Sequence, residues 1–247
     1  MLTILKRNKV IFIAALIFLF FISLISSPIS QNPAYHLLAD NRNWFSTANF
    51  ANVYSNLPFG IIGIMGVLSA SKNSSKAKLS WLTFFIGLVF VTVGSSYYHL
   101  NPNNQTLVWD RLPMMISFMG LFVALLAENV PGINEKPVLP VAVLLGLSSV
   151  IYWSYTDDLR FYGFMQFAPL IAIPVILFLC KGCYTHRSYL LYGLFFYILA
   201  KVFELTDKFI FQLSGQLISG HTIKHLLAAM ATYCIYLMLK KRRISRF

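Results

Sequence analysis

The side chains best suited to chemistry lie in two short motifs of a strongly apolar sequence. In HTIKH, His221 and His225 are four residues apart, so on a helix both imidazoles would share one face. Such a pair can bind one zinc ion through neutral ring nitrogens, and His99, at the end of GSSYYH, would supply a third ligand from another segment. Three protein ligands leave the fourth zinc position open to water, as in catalytic zinc sites.

Two further residues accompany these histidines. Ser95 precedes His99 by four residues, so its hydroxyl would share the same helix face and could contact metal-bound water or an oxyanion. Asp110 follows after a short loop and could act as a general base. Both also have structural interpretations, because the small residues around Ser95 suit close helix packing and Asp is a preferred N-cap of a helix that begins just after it.

The histidines themselves leave alternatives open. An isolated HxxxH pair can cap or bridge helices at a membrane interface without binding a metal. Haem is a rival cofactor because its axial ligands are commonly His, but haem does not explain the neighbouring Ser and Asp. The sequence therefore predicts zinc, with a metal-free role for the histidines as the competing interpretation.

The composition indicates that the surrounding solvent is a lipid bilayer. Of the 247 residues, 57% are hydrophobic and only 11% are charged, whereas soluble domains have about 25% charged residues. The formal net charge is +12, but the basic residues lie mainly between and beyond the apolar segments, as topology signals do. We find no nucleic-acid-binding motif, so we expect membrane lipids and a lipid substrate as partners and no nucleic acid.

Apolar segments long enough to cross a bilayer occur eight times along the chain. They lie near residues 10–27, 53–70, 80–99, 112–128, 137–154, 162–180, 188–205 and 218–239. The first follows a short basic stretch and ends without a good cleavage site, which favours an uncleaved helix over a signal peptide.

The placement of charge orients these spans and brings the unusual polar residues together. A cytoplasmic amino terminus puts most of the 20 Lys and Arg residues on the cytoplasmic side. Several spans then carry polar groups to one depth near the outer face, and ionisable groups at such a place are typically functional. These residues are His99, Asp110, His221 and His225, together with Asn52, Ser55, Asn56, Glu204 and Asp207. The short loops suit a bacterial inner membrane, with the site facing the periplasm.

Taken in order, GSSYYH, WDRLPM and HTIKH resemble the motifs of the alkaline ceramidases. These enzymes belong to a superfamily of seven-helix membrane hydrolases that also includes the adiponectin and progestin receptors. The segment NVYSNLPFG, with Ser55 and Asn56, resembles the SN motif of the first core helix, and Asp207 stands where ceramidases often carry an Asp. The DxLPM form at Asp110 favours the ceramidase branch.

The resemblance covers roughly residues 35–240 and implies an all-α membrane fold. It predicts a core bundle of seven transmembrane helices within residues 31–247. Residues 1–30 would form one additional N-terminal transmembrane helix or uncleaved signal anchor.

The same resemblance implies zinc held by His99, His221 and His225. It also implies Asp110 as the proton shuttle and Ser95 as the stabiliser of water or an oxyanion. The activity would be zinc-dependent hydrolysis of the amide bond of a ceramide-like lipid, with zinc-bound water as nucleophile.

One segment departs from the family pattern. Animal ceramidases carry an acidic calcium-binding stretch near the amino terminus, whereas YHLLADNRNWF has Asp40 as its only acid and Asn49 falls near an expected Glu. A calcium requirement is therefore in doubt.

Other function classes stay open. The main alternative is a non-enzymatic receptor or channel-like protein with a structural metal. A structural zinc would need a fourth protein ligand, and the sequence places no Cys at this depth. A transporter would be expected to carry internal repeats, and we find none.

Overall fold

The computed structural model describes residues 27–72, 75–180 and 182–244, and the regular secondary structure of this part is helical. A 3-10 helix, Pro33–His36, is followed by nine α-helices. They are α1 (Phe50–Tyr54), α2 (Leu57–Ser71), α3 (Lys78–Leu100), α4 (Asn104–Asn129), α5 (Glu135–Thr156), α6 (Arg160–Leu179), α7 (Ser188–Leu205), α8 (Asp207–Leu213) and α9 (Gly220–Lys241). The predicted N-terminal span near residues 10–27 lies outside the described residues, apart from its last position.

Seven of the described segments are long and apolar enough to cross a membrane. They are α1 and α2 taken together, α3, α4, α5, α6, α7 and α9. This confirms the seven later apolar segments predicted from the sequence and indicates an integral membrane protein. In the bundle, α3 packs against α2 and α4, and α9 packs against α7.

The fourth predicted span was placed too late in the chain. Helix α4 begins at Asn104, where the sequence predicted a span starting near residue 112. The reason is a capping box: the Asn103 side chain accepts hydrogen bonds from the backbone N–H groups of Gln105 and Thr106 at 2.9 and 3.0 Å. Pro113 then lies inside the helix without ending it.

The first described span is interrupted near its outer end. Helices α1 and α2 are separated at Ser55 and Asn56, which the sequence had placed at the start of a continuous helix. Pro58 explains the break, since it has no N–H to donate to the carbonyl one turn earlier. The interruption turns the side chains of Ser55 and Asn56 into the bundle, where both are buried.

Candidate metal centre

Three buried imidazoles meet at one end of the bundle. His99 comes from the last turn of α3, and His221 and His225 come from the first two turns of α9. Their ring centroids are 4.8 to 4.9 Å apart, and one ring nitrogen of each lies within 4.8 Å of the other two. The structure thus brings together the three histidines that the sequence proposed as ligands.

The ring nitrogens of this cluster are short of partners. Both nitrogens of His99 and Nε2 of His221 are buried and have no hydrogen-bond partner among the described residues. Leaving a buried nitrogen unpaired costs about 1–3 kcal/mol, so native structures rarely tolerate three of them in one place. A metal ion would use these lone pairs, and three neutral imidazoles are a donor set that zinc accepts. The residues present therefore fit the metal that the sequence predicted.

The interruption between α1 and α2 orients the third histidine. Ser55 Oγ lies 2.7 Å from His225 Nδ1 and 3.0 Å from the carbonyl oxygen of Asn52. Since its one proton is donated to that carbonyl, the hydroxyl accepts from the Nδ1–H of His225. The imidazole tautomer then keeps a lone pair on Nε2, as metal-binding histidines require.

A second contact orders the start of α9. Asp207 Oδ1 accepts a hydrogen bond from the backbone N–H of His221 at 2.7 Å, and Oδ2 accepts from the N–H of Ala39 at 2.9 Å. Gly220 permits this approach, because a Cβ there would lie 2.3 Å from the carbonyl oxygen of Phe203. Asp207 thus contacts the centre through the backbone rather than by pointing its carboxylate at the metal position.

Asp110 lies beside Ser95 on the wall of a shared cavity. The two side chains interact, and both line a cavity that also reaches His225. The N-cap interpretation of Asp110 was wrong, because α4 begins six residues earlier and Asn103 is its cap. The carboxylate is instead buried in the second turn of the helix, where nothing in the capping of α4 requires an acid.

Close packing of α3 against α4 brings Ser95 and Asp110 together. A Cβ on Gly94 would lie 2.1 Å from the carbonyl oxygen of Trp109. Pro113 leaves that carbonyl without its usual donor, and the missing side chain of Gly94 lets it approach α3. The packing interpretation of the small residues is therefore correct for Gly94, and it is this packing that puts Asp110 next to Ser95.

A partly buried ionic cluster borders the same cavity. Glu204 Oε1 lies 2.7 Å from Lys224 Nζ, and Oε2 lies 2.6 Å from Lys201 Nζ. The hydroxyl of Tyr35 donates to Glu204 Oε1 at 3.2 Å. Burial, followed by the charge of Glu204, raises the pKa of Tyr35, so the phenol stays protonated and acts as a donor.

The cavity has a volume of about 430 Å³, within the usual range for small-molecule sites. One end carries the polar groups just described. The remainder is lined mostly by apolar side chains of α2 to α4, α6, α7 and α9, such as Phe59, Leu88, Ile173 and Ile235. Its shape and polarity suit a lipid whose chain lies between helices while a polar group lies near His225.

Sequence reasoning missed some residues of the site. Tyr35 comes from a segment without helical or strand periodicity, so nothing in the sequence placed it against Glu204 from α7. Lys224 is a second such residue, and the sequence signal that could have identified it is its position inside HTIKH, between the two histidines.

The segment that corresponds to the calcium-binding stretch of animal ceramidases makes contacts within the protein. Arg42 donates to both carboxylate oxygens of Asp40, through Nε at 2.8 Å and Nη2 at 2.7 Å. Asn49 donates to the backbone carbonyl of His99 at 2.8 Å. The doubt about calcium stays a prediction, since these contacts do not test it.

Comparison with known proteins agrees with this geometry. The sequence matches no individual curated protein at a significant level. The family model Ceramidase matches residues 44–246, which include all three histidines, Ser95 and Asp110. Because that match spans most of the chain, the protein belongs to the ceramidase family.

Proposed function

We propose that the protein is a zinc-dependent membrane hydrolase that cleaves the amide bond of a ceramide-like N-acyl lipid. Family membership implies hydrolysis of lipid amides. The observation that carries the finer proposal is the meeting of three buried histidines, two of them with unpaired ring nitrogens, beside a lipid-sized cavity that reaches His225. A purely structural role for these histidines would leave their unpaired nitrogens unexplained.

The surrounding side chains have distinct roles in this proposal. Bound at the three histidines, zinc would supply a Lewis acid that makes a water molecule reactive near neutral pH. Asp110 takes a proton from the attacking water at its carboxylate and delivers it to the leaving amine nitrogen. Once Asp110 has taken up that proton, the Ser95 hydroxyl beside it is free to donate to the oxygen that gains charge as the amide carbonyl is attacked.

The site is also built to exclude bulk water. The three histidines, Ser95 and Asp110 are all buried, and the segment from Gln31 to Asn49 makes hydrogen bonds to the neighbouring ends of α3, α7 and α8. That segment is held by the contacts of Tyr35 with Glu204 and of Ala39 with Asp207. A dry site strengthens the charge interactions on which general acid–base catalysis depends.

We further propose that the site faces the periplasmic side of a bacterial inner membrane. The described loops at the opposite end hold many basic residues, including Lys72, Lys76, Lys136 and Arg187. The connections at the site end are poorer in Lys and Arg, and the positive-inside rule then puts this end outside.

Hydrolysis by the purified protein tests the proposal. The protein in neutral detergent is given a short-chain ceramide, and fatty acid release is followed before and after zinc is removed with a chelator. We expect release that stops on chelation and returns with zinc. An absence of hydrolysis of every N-acyl lipid, in protein that holds zinc, would favour the receptor alternative.

A further inference from the structure

A buried guanidinium on the cavity wall has fewer partners than it can use. Arg111 is only 6% exposed and lines the same cavity as Asp110. Its Nη2 donates to Gln31 Oε1 at 2.6 Å, whereas Nη1 is buried and has no hydrogen-bond partner in the described parts of the chain. Arg111 is absent from the ion pairs formed among those residues, although Asp110 attracts it at longer range.

Two aromatic rings fix the orientation of this guanidinium. Its Cζ lies 3.9 Å from the centroid of the Trp153 ring and 4.6 Å from that of Tyr162. Contacts with ring faces stabilise the cation but leave the N–H groups along its edge available. A planar fork held in this way is preorganised to bind a carboxylate or a phosphate through two parallel hydrogen bonds.

The charge of the cavity also favours an anion. Three cationic side chains line it, namely Arg111, Lys201 and Lys224, against the two acids Asp110 and Glu204. Both lysines are paired with Glu204, so with neutral histidines the lining has an excess of one positive charge. Burying a cation without a full complement of partners is costly, and a bound acid would offset that cost.

The geometry points to Arg111 as the binding site for an acid group on the headgroup of the lipid that is cleaved. This inference rests on the proposed amidase function and narrows its substrate class. The preferred substrate would be an N-acyl lipid whose headgroup carries a carboxylate or a phosphate, and a neutral ceramide would be hydrolysed less efficiently. Its acyl chain would occupy the apolar part of the cavity, and its acid would lie against the edge of the guanidinium.

Matched substrates with one acyl chain test this assignment. The carboxylate pair is N-lauroylglycine and its primary amide, and the phosphate pair is N-lauroylethanolamine phosphate and N-lauroylethanolamine. Release of dodecanoate is measured for all four. We expect kcat/KM to favour at least one acid over its neutral counterpart by about tenfold or more, mainly through KM. The pair that shows the preference identifies which acid the site takes.

Variants of Arg111 test whether this residue causes the preference for acid substrates. In Arg111→Gln the ratio of acid to neutral kcat/KM should fall below about threefold, and in Arg111→Lys, which keeps the charge but not the fork, it should be intermediate. Arg42→Gln is the matched control, because Arg42 is bound to Asp40 and lies outside the cavity lining. That variant should keep the wild-type ratio.

A binding measurement covers the case in which the Arg111 variants do not fold. Ketone analogues of N-lauroylglycine and its primary amide, in which CH₂ replaces the amide nitrogen, are added to wild-type protein and thermal unfolding is followed. The acid analogue should raise the unfolding temperature more than the amide analogue. Equal stabilisation, or equal hydrolysis of acids and neutral amides, would overturn the assignment of Arg111. Failure to hydrolyse any N-acyl lipid would instead remove the proposed amidase function, and the analogues would still test the anion site separately.

Discussion

The two ends of the bundle each bury a polar cluster, and the same three helices supply both. At one end, α3 and α9 supply the three histidines and α4 supplies Asp110. At the other end, Trp81 from the start of α3, Glu128 from the end of α4 and Arg242 just after α9 meet in a second cluster. The two clusters have similar burial but very different hydrogen bonding.

The cluster at the far end is nearly saturated. Arg242 Nη1 and Nη2 donate to the two oxygens of Glu128 at 2.7 and 2.9 Å, and Trp81 Nε1 donates to Oε1 at 2.8 Å. Ser75 Oγ also donates to Glu128. Nearby, Glu135 accepts from the backbone N–H groups of Leu79 and Ser80 and from the Ser80 hydroxyl. Among the described residues, Nε of Arg242 is the one buried polar atom of this cluster without a hydrogen-bond partner.

The difference separates a structural role from a functional one. Where the carboxylate oxygens already accept hydrogen bonds from their neighbours, a cluster can join helices but has no free acceptor for a ligand. Where imidazole nitrogens stay unpaired, the fold carries a cost that only a ligand can offset. We therefore expect changes at the far end to alter stability and changes at the histidine end to alter metal binding and turnover.

The largest effect is expected from removing two histidines together. His221→Ala, His225→Ala should lose zinc and reduce hydrolysis to background, because one remaining imidazole cannot hold the ion. Metal analysis of the purified variant, with circular dichroism to check helicity, measures this. Normal zinc content in the double variant would refute the ligand assignment.

The next effect concerns the proton shuttle. Asp110→Asn should keep zinc but lower kcat by roughly 10²–10⁴-fold, the usual worth of general acid–base catalysis. Because α4 is capped by Asn103 and not by Asp110, the fold should be unaffected. Rates are compared at equal zinc occupancy, and equal rates for wild type and variant would exclude Asp110 from the mechanism.

The far cluster provides the contrasting substitution. Glu128→Gln removes the counterion of buried Arg242 and should lower the free energy of unfolding by about 3–5 kcal/mol. Denaturant unfolding in detergent measures the loss. Zinc content and kcat of the folded fraction should match wild type. A loss of zinc without a loss of stability would contradict the assignment of a structural role to the far cluster.

The smallest effect is expected at Ser55. Ser55→Ala removes the hydroxyl that accepts from His225 Nδ1 and should weaken zinc binding by about 10–100-fold, as changes to groups that orient ligands do. Competition with a zinc-sensitive chelator measures the affinity. Ser71→Ala is a suitable control, since that exposed hydroxyl donates to the carbonyl of Leu68 in its own helix. Equal affinities in both variants would show that Ser55 does not orient the imidazole.

Sequence reasoning predicted the seven described spans and the meeting of the three histidines, because both follow from local patterns. A four-residue spacing fixes a shared helix face, and the placement of Lys and Arg fixes which helix ends lie together. The match of the family model then confirmed the resemblance to ceramidases.

Other parts of the structure could not be predicted from local sequence patterns. The start of α4 was misplaced because Asp110 suits an N-cap, whereas Asn103 and Thr106 form the actual cap. The contact of Ser55 with His225 and that of Arg111 with Gln31 join segments that are far apart in the chain. Hydrophobic periodicity carries no information about which distant side chain completes a hydrogen bond.

The central claim is that the histidine cluster is an open metal site, whereas the far cluster is a closed structural one. X-ray absorption at the zinc edge of the purified protein tests it most directly. We predict about one zinc per chain, bound by three imidazole nitrogens at about 2.0–2.1 Å and one exchangeable oxygen. A fourth protein ligand on the zinc, or a protein that binds no zinc at all, would contradict the account.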